Sequence, residues 1–496
     1  MILSTLIQGL PDVHLLGSID PEILGISTDS RTIRSGYLFA ALPGNVTNGH
    51  QYISQAIDSG ASALLVDSSH LLPSELPIPV IRAHDLRRVL STISARHYGF
   101  PSREMKMIGV TGTNGKTTTT YLIDGILRHN GISGGVIGTI GARFANREVP
   151  TEATTPEAPQ LHKILSEMRH AGVQVVAMEV SSHSLALHRV TDIDYEIGIF
   201  TNLTQDHLDF HGTLDRYLAA KGLLFQSLVP RQSSTPRVAV INRDDPVFDT
   251  IRRFVPTGCH PISYGFHPDA DLRVRIIEMT PMTSSFEVTG RFGVHEISLP
   301  TPGRHNIMNF SAAFCACCAI GIEPSDVAAA ATRLSPAPGR MEQIDVGQPF
   351  LVVVDYAHSP DALDNLLSSL RPLVRGRLIC VFGCGGDRDR TKRPRMAEAV
   401  ARHCDHAIVT SDNPRTEPPE EIIVEILPGI PPGFPSAVMV DRREAIFEAI
   451  RMAERDDAIV IAGKGHEDYQ IIGRTKHHFD DREEARNALI RKGFTG

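Results

Sequence analysis

The chain has 496 residues, of which 42% are hydrophobic and 21% charged, and its net charge is −8. That is the composition of a soluble globular protein too long for one core, so three domains are expected. The acidic balance gives no electrostatic case for nucleic acid or an anionic membrane as the main partner. The opening "MILSTLIQGLPDVHLLG" lacks a basic n-region and meets Pro11 early, so neither a signal peptide nor a membrane span is expected. The seven cysteines form no paired framework. Cys315, Cys317 and Cys318 in "AAFCACCAIG" read as buried reduced thiols on an Ala-rich helix, which points to a reducing cytoplasm.

The first third, with "STDSRTIRSGYLFAAL", reads as a small α/β unit. Pro/Gly punctuation in "HYGFPSREM" and again in "RLSPAPGRMEQI" stands before fresh apolar strands and divides the chain into 1–101, 102–338 and 339–496. The middle part opens with the strand "KMIGV", a loop over 112–116, and a helix over 117–130 with Leu122, Ile123, Ile126 and Leu127 on one face. Gly131 ends that helix. "VVAMEV" and "EIGIFTNL" are short apolar strands without alternation, as in a buried parallel sheet. In the last third "LVVVDYAHSP", "LICVFGCGGDRD", "AIVTSDNPR" and "AIVIAGKGHE" each run from a β-rich stretch into a polar loop. Ligands of open α/β sheets sit at such strand ends, so this third forms a ligand-facing wall.

The loop "VTGTNGKTTTT" departs from strict Walker A spacing, because Val110 stands where that pattern needs glycine. It still carries Gly112, Thr113, Asn114, Gly115, Lys116, Thr117 and Thr118 between a strand and a helix, the arrangement in which backbone N–H groups converge on phosphate. Lys116 is placed to reach the β- and γ-phosphates, and the Thr117 hydroxyl to reach Mg²⁺. Glu179 ends a strand and is a candidate second metal ligand, with a helix N-cap as its plain structural alternative. Asp206, His207, Asp209 and His211 crowd the loop after another strand.

In order along the chain, "GTNGKT", "TTPEA", "MEVSSHSLALHR", "TNLTQDHLDFHG" and "YLAAKGLLF" resemble the Mur ligases of peptidoglycan synthesis. "GRMEQI", "DYAHSPDAL", "FGCGGDRDRTKRP", "DNPRTEPP" and "AGKGHEDYQ" narrow the resemblance to the diaminopimelate-adding members. The short G-T-N-G-K-T loop is the regular form in this family and in folylpolyglutamate ligases. The implied fold class is α/β in three domains: a UDP-substrate-binding domain, a central P-loop-type ATPase domain with a parallel sheet, and a Rossmann-like domain for the incoming amino acid. The implied reaction phosphorylates the D-glutamyl γ-carboxylate of UDP-N-acetylmuramoyl-L-alanyl-D-glutamate with ATP, after which meso-diaminopimelate attacks the acyl phosphate. The implied substrates are small molecules, and a cytoplasmic monomer is expected.

Residue by residue, the resemblance implies Lys116, His207 and Lys221 as catalytic. Glu179, His207, Thr117 and a carbamylated Lys221 would hold Mg²⁺. The pattern of "YLAAKGLLF" by itself places Lys221 on an exposed helix face. Asn306, Asn309, Arg340 and His358 match positions near the nucleotide. Thr154, Thr155, Ser181 and Arg189 match the muramoyl-dipeptide contacts, and Leu187 stands where some relatives have Gln. Thr28, Ser30 and the loop 45–47 match the uridine end. Arg388, Asp412, Asn413, Pro414, Arg415, Gly463 and Glu467 match the diaminopimelate pocket, with Arg415 on the far carboxylate and Glu467 on the far ammonium. The alternative for Arg415 is a surface ion pair with Glu417 or Glu420. The alternatives for the chain are an L-lysine-adding homologue, a folylpolyglutamate-type ligase, and a nucleotide-gated binding protein without turnover.

Overall fold

The apolar runs become strands of three main sheets in a computed structural model that describes residues 1–44, 48–73, 76–230 and 236–495. The loop 45–47, expected at the uridine end, lies outside the described residues. The chain divides into two compact units: Met1–Leu272 with Ala312–Glu323, and Arg273–Ser311 with Pro324–Gly496.

The first unit contains two sheets. In one, strands Gly25–Ser27, Tyr37–Ala40, Ala61–Asp67 and Val80–Ala83 run parallel, and Val13–Leu16 closes the edge antiparallel. In the other, the strands His260–Gly265, Val238–Asn242, Tyr195–Phe200, Lys106–Thr111, Val175–Glu179 and Gly134–Gly138 lie side by side and parallel. Strand Lys106–Thr111 is flanked on both sides, which explains its unalternating apolar run. The helix Lys116–His129 buries Leu122, Ile123, Ile126 and Leu127, as its spacing requires.

The second unit carries the meander Leu272–Met279, Ser284–Gly290, Gly293–Leu299 and a sheet in which Leu351–Asp355, Ala458–Ala462, Leu378–Phe382, His406–Val409 and Ser436–Val438 run parallel in that order. All four polar loops expected to face a ligand leave the same, carboxyl edge of this sheet. Among the described residues no helix is long and apolar enough to cross a membrane.

One core residue makes a stability prediction. His162 is fully buried on helix Ala158–His170, and among the described residues neither ring nitrogen has a hydrogen-bond partner. Burial pushes its pKa down to about 4. The unfolded chain therefore takes up a proton near pH 6.5 that the folded chain refuses until about 4, so stability falls as pH drops through that window. His162 contributes a loss on the order of 3 kcal/mol. His162→Leu is expected to flatten the dependence of the thermal midpoint on pH between these values; an unchanged slope would show that His162 is not the group responsible.

Candidate active site

The phosphate loop is held by its two glycines. Gly112 has φ of 150° and Gly115 of 86°. A Cβ on Gly112 would lie 1.9 Å from Thr201 Oγ1 at the end of the neighbouring strand. Thr201 and Asn202 clamp the loop from that side: Thr201 Oγ1 donates to Asn114 O at 2.6 Å, and Asn114 N donates to Asn202 Oδ1 at 2.9 Å. Gly115 is the helix N-cap and no side chain caps the helix, so its first turn opens onto the loop as an anion site. Lys116 Nζ folds back over the loop and donates to Gly112 O at 2.9 Å and Thr113 O at 2.8 Å.

Glu179 joins this loop to the loops expected to hold the muramoyl-dipeptide. Its carboxylate is 1% exposed. It accepts from Thr117 Oγ1 at 2.9 Å, Thr139 N at 2.9 Å and Thr139 Oγ1 at 3.2 Å. A Cβ on Gly138 would sit 2.2 Å from Glu179 Oε1, so this glycine makes room for the carboxylate. Thr154 shares a 3.1 Å hydroxyl contact with Thr139, and Thr155 Oγ1 donates to the Glu179 carbonyl at 2.9 Å. Ser181 N donates to Thr155 Oγ1, Arg189 Nη1 donates to Thr155 O at 3.0 Å, and Arg189 Nη2 pairs with Glu157 at 2.8 Å. These four expected substrate residues and Glu179 thus form one connected polar network. Leu187 caps the short helix Ser182–Ala186 through its backbone.

The structure corrects the sequence-based placement of Lys221. It is 1% exposed, with Nζ donating to Gly112 O at 2.8 Å and lying 4.2 Å from the Tyr217 ring centroid. The helix Leu214–Gln226 turns that face inward against the phosphate loop, where local periodicity offers no sign of a partner. Burial holds the amine well below the usual lysine range, and the nearby Lys116 cation lowers it further.

His207 has left-handed backbone (φ 52°) at the start of the turn Leu208–His211. Its ring meets His183 edge-on at 4.7 Å and Nε2 lies 3.4 Å from Asp206 Oδ2. His211 is buried, within 2.9 Å of Ser182 Oγ and 5.2 Å from the Tyr217 ring. Of the expected metal set, Thr117 and Glu179 are in direct contact, while Lys221 bonds the loop carbonyl and His207 packs on its own cluster. Among the described residues no group of three or more His, Cys, Asp or Glu is arranged to hold a metal. Thr117 and Glu179 supply two hard oxygen donors of the kind Mg²⁺ takes.

In the second unit the expected diaminopimelate residues come together at the carboxyl edge. Asp412 and Asn413 are buried; Asn413 Nδ2 donates to Glu467 Oε2 at 2.8 Å. Gly463 has φ of 120°, and a Cβ there would lie 2.6 Å from Asp412 Oδ2. Arg415, half-buried with φ of 52°, donates from Nη1 to Gly386 O at 2.9 Å. Its surface-pair alternative is not what the structure contains. Glu417 is taken by the buried Arg393 at 2.9 Å, and among the described residues no carboxylate lies within ion-pair distance of Arg415. Pro414 closes over Gly386, whose Cβ would meet the Pro414 carbonyl oxygen at 1.9 Å. Arg388 is exposed and donates to Asp387 O at 3.1 Å.

The expected nucleotide residues Asn306 and Arg340 lie in this second unit. Asn306 Nδ2 donates to Pro302 O at 2.8 Å, and Arg340 covers the Tyr356 ring at 4.8 Å with its Nε unpartnered. Asn309 is buried, and a ring nitrogen of His358 (Nδ1) lies 2.8 Å from Tyr356 O. Toward the uridine end, Ser30 Oγ donates to Gln55 Oε1 at 3.0 Å, while Thr28 is half-buried in the preceding turn. Sequence reasoning missed Thr139, Asn202, Tyr217 and Lys464, and left His183 unassigned. Asn202, His183, Tyr217 and Lys464 stand inside motifs already singled out, so proximity to those motifs was the available signal, and Thr139 had none.

Comparison with known proteins matches three family models. They are the Mur ligase family catalytic domain over residues 22–98, the Mur ligase middle domain over 110–317, and the Mur ligase glutamate ligase domain over 339–465. The chain is 42% identical over 491 residues to the UDP-N-acetylmuramoyl-L-alanyl-D-glutamate–2,6-diaminopimelate ligase of Geobacillus thermodenitrificans, covering 99% of both. It is 45% identical to the enzyme of the same name from Gloeobacter violaceus, covering 99% of this chain and 96% of that one. A solved structure of a ligase with that name superposes with a TM-score of 0.68 at 34% identity, covering 95% of this chain and 96% of the other.

Gly112→Ala tests the loop. A side chain must either push Thr201 aside or move the loop, at a cost of about 1–3 kcal/mol. Nucleotide affinity measured by calorimetry should fall roughly ten- to a hundredfold. Unchanged affinity would mean that the loop does not approach the nucleotide as closely as its backbone indicates.

Proposed function

The chain belongs to the Mur ligase family, and on that premise we propose that it is the ATP-dependent ligase that joins 2,6-diaminopimelate to UDP-N-acetylmuramoyl-L-alanyl-D-glutamate in peptidoglycan precursor synthesis. The observation that carries the reading is Arg415: a half-buried guanidinium with no carboxylate partner among the described residues, beside the Asn413–Glu467 pair. Such a pocket rewards an amino acid that brings both a second carboxylate and a second ammonium. A chain whose seven cysteines make no paired framework in sequence fits a cytoplasmic site of action.

A carboxylate is a poor electrophile, and transfer of the ATP γ-phosphoryl group to the D-glutamyl γ-carboxylate supplies a leaving group. An amine of diaminopimelate then forms the amide and phosphate departs. Such transfer needs positioning and charge neutralisation more than a protein nucleophile. Gly112 to Thr118 would cradle the phosphates, and Lys116, now folded onto its loop carbonyls, would swing to the γ-phosphate. Thr117 and Glu179 would hold Mg²⁺, which supplies positive charge to the phosphates when bound. Thr154, Thr155, Ser181 and Arg189 would place the dipeptide; Thr155 Oγ1 donates to the backbone carbonyl of Glu179, whose carboxylate accepts from Thr117.

Lys221 is read as a carbamate. A neutral amine attacks CO₂, a C–N bond forms and a proton leaves, so a side chain that is ordinarily a cation ends as an anion. Burial supplies the neutral amine. Lys221→Ala should be nearly inactive and partly restored by short carboxylic acids. Lys221→Arg keeps the charge that carbamylation removes and should also be inactive; parent-level turnover in that variant would sink the carbamate.

Amine-dependent release of ADP from the UDP-muramoyl-dipeptide tests the function as a whole. Meso-diaminopimelate should support turnover and L-lysine should be a very poor substrate. Arg415→Ala should raise the KM for diaminopimelate about ten- to a hundredfold, the worth of a charge-assisted pair, with little change for ATP. If the parent adds L-lysine equally well, the specificity reading is wrong.

A further inference from the structure

Lys464 follows Gly463 at the carboxyl edge of the second unit's sheet, and its side chain is 0% exposed. A buried ammonium is costly unless charges and acceptors surround it. Its Nζ donates to Asn413 Oδ1 at 3.0 Å and lies 3.5 Å from Glu467 Oε2 and 3.8 Å from Asp412 Oδ1. Asn413 Oδ1 also accepts from Ile471 N at 2.9 Å. With two donors on that oxygen, the amide nitrogen must face the other way, and it donates to Glu467 Oε2 at 2.8 Å. Lys464 therefore orients the amide that orients Glu467.

We propose that Lys464 is a positioning residue that sets amino-acid specificity: through Asn413 and by direct charge contact, its buried ammonium holds Glu467 and Asp412 side by side as the receptor for the substrate's distal ammonium. This rests on reading the pocket as the diaminopimelate subsite. Asp412 and Glu467 carry two negative charges, Lys464 and Arg415 two positive ones. A distal centre with one ammonium and one carboxylate adds no net charge to that set. Removing Lys464 leaves two neighbouring carboxylates without their shared cation, and one of them must take a proton. Burial already raises the Glu467 pKa, Lys464 and Asn413 lower it, and Asp412 raises it. The phenols of Tyr356 and Tyr469 also face Glu467, and Arg415 faces Tyr469.

The test is a double-mutant cycle in the full-length enzyme. Lys464→Met and Glu467→Gln are made singly and together, KM for meso-diaminopimelate and for ATP is read across pH, and folding is checked by thermal melting. Glu467→Gln should raise the diaminopimelate KM about tenfold. Lys464→Met should raise it by a similar factor, and further as pH is lowered, because loss of the neighbouring cation favours the protonated Glu467 carboxyl. The double variant should be no worse than Glu467→Gln, and KM for ATP should hold throughout. If Glu467→Gln is impaired but Lys464→Met keeps the parent's KM at every pH, or if the two losses add, the role of Lys464 is overturned. If Glu467→Gln leaves KM unchanged, the subsite reading fails instead. Should Lys464→Met melt at assay temperature, Lys464→Gln replaces it, keeping a donor for Asn413 without the charge; a pH-independent KM in that variant overturns the proposal.

Discussion

The buried carboxylate of Glu179 is the constraint on which the catalytic unit depends. A carboxylate removed from water must have its oxygens occupied by donors. Here the donors come from the first turn of the phosphate-loop helix and from Thr139, and the Glu179 carbonyl receives Thr155. Loops that are far apart in sequence are thereby held to one reference point. That is how a ligase must be built, because phosphoryl donor and acceptor react only when their separation is set by the protein. The strand register explains why the point is available: Glu179 pairs beside Val110, one residue short of the end of the strand that launches the loop.

The second unit reaches a similar end with different chemistry. Arg442 and Asp481 are both fully buried and bonded twice at 2.7 Å. Arg442 also donates to Ser411 O at 3.3 Å and Ala462 O at 2.9 Å, the carbonyls immediately before Asp412 and Gly463. A planar guanidinium has enough donors to satisfy an acid and two carbonyls at once. The two loops that carry Asn413, Arg415 and Glu467 are thereby tied at their base. Left-handed backbone at Arg415 then aims its side chain, in a conformation held by Arg415 N donating to Ile471 O and Gly473 N donating to Arg415 O.

Around His207 the packing is aromatic and imidazole-rich. His183, His207, His211, Phe210 and Tyr217 meet in edge-on and tilted contacts, and Tyr217 lies between Thr113 and Lys221. Burial holds His183, His207 and His211 below the usual histidine range. Neutral imidazoles suit a loop beside Lys116, since each added cation would repel its ammonium.

The sequence by itself determined the parallel sheets, because unalternating apolar runs ending in polar loops have no other soluble home. It also determined the phosphate loop, because Gly112 and Gly115 are needed where the backbone turns left-handed. Family resemblance then named most of the residues proposed for the candidate site. What only the tertiary structure decided are contacts between segments distant along the chain. Lys221 and Lys464 look like ordinary exposed lysines to any local pattern, yet each is buried against an acceptor contributed by another segment, Gly112 and Asn413 respectively. The fate of Glu417 was equally hidden: Arg415 is its near neighbour in sequence and Arg393 stands 24 residues away, yet packing gave the carboxylate to Arg393 and left Arg415 on the Gly386 carbonyl. Periodicity records which face of an element is apolar; it carries no record of which charge that face will meet.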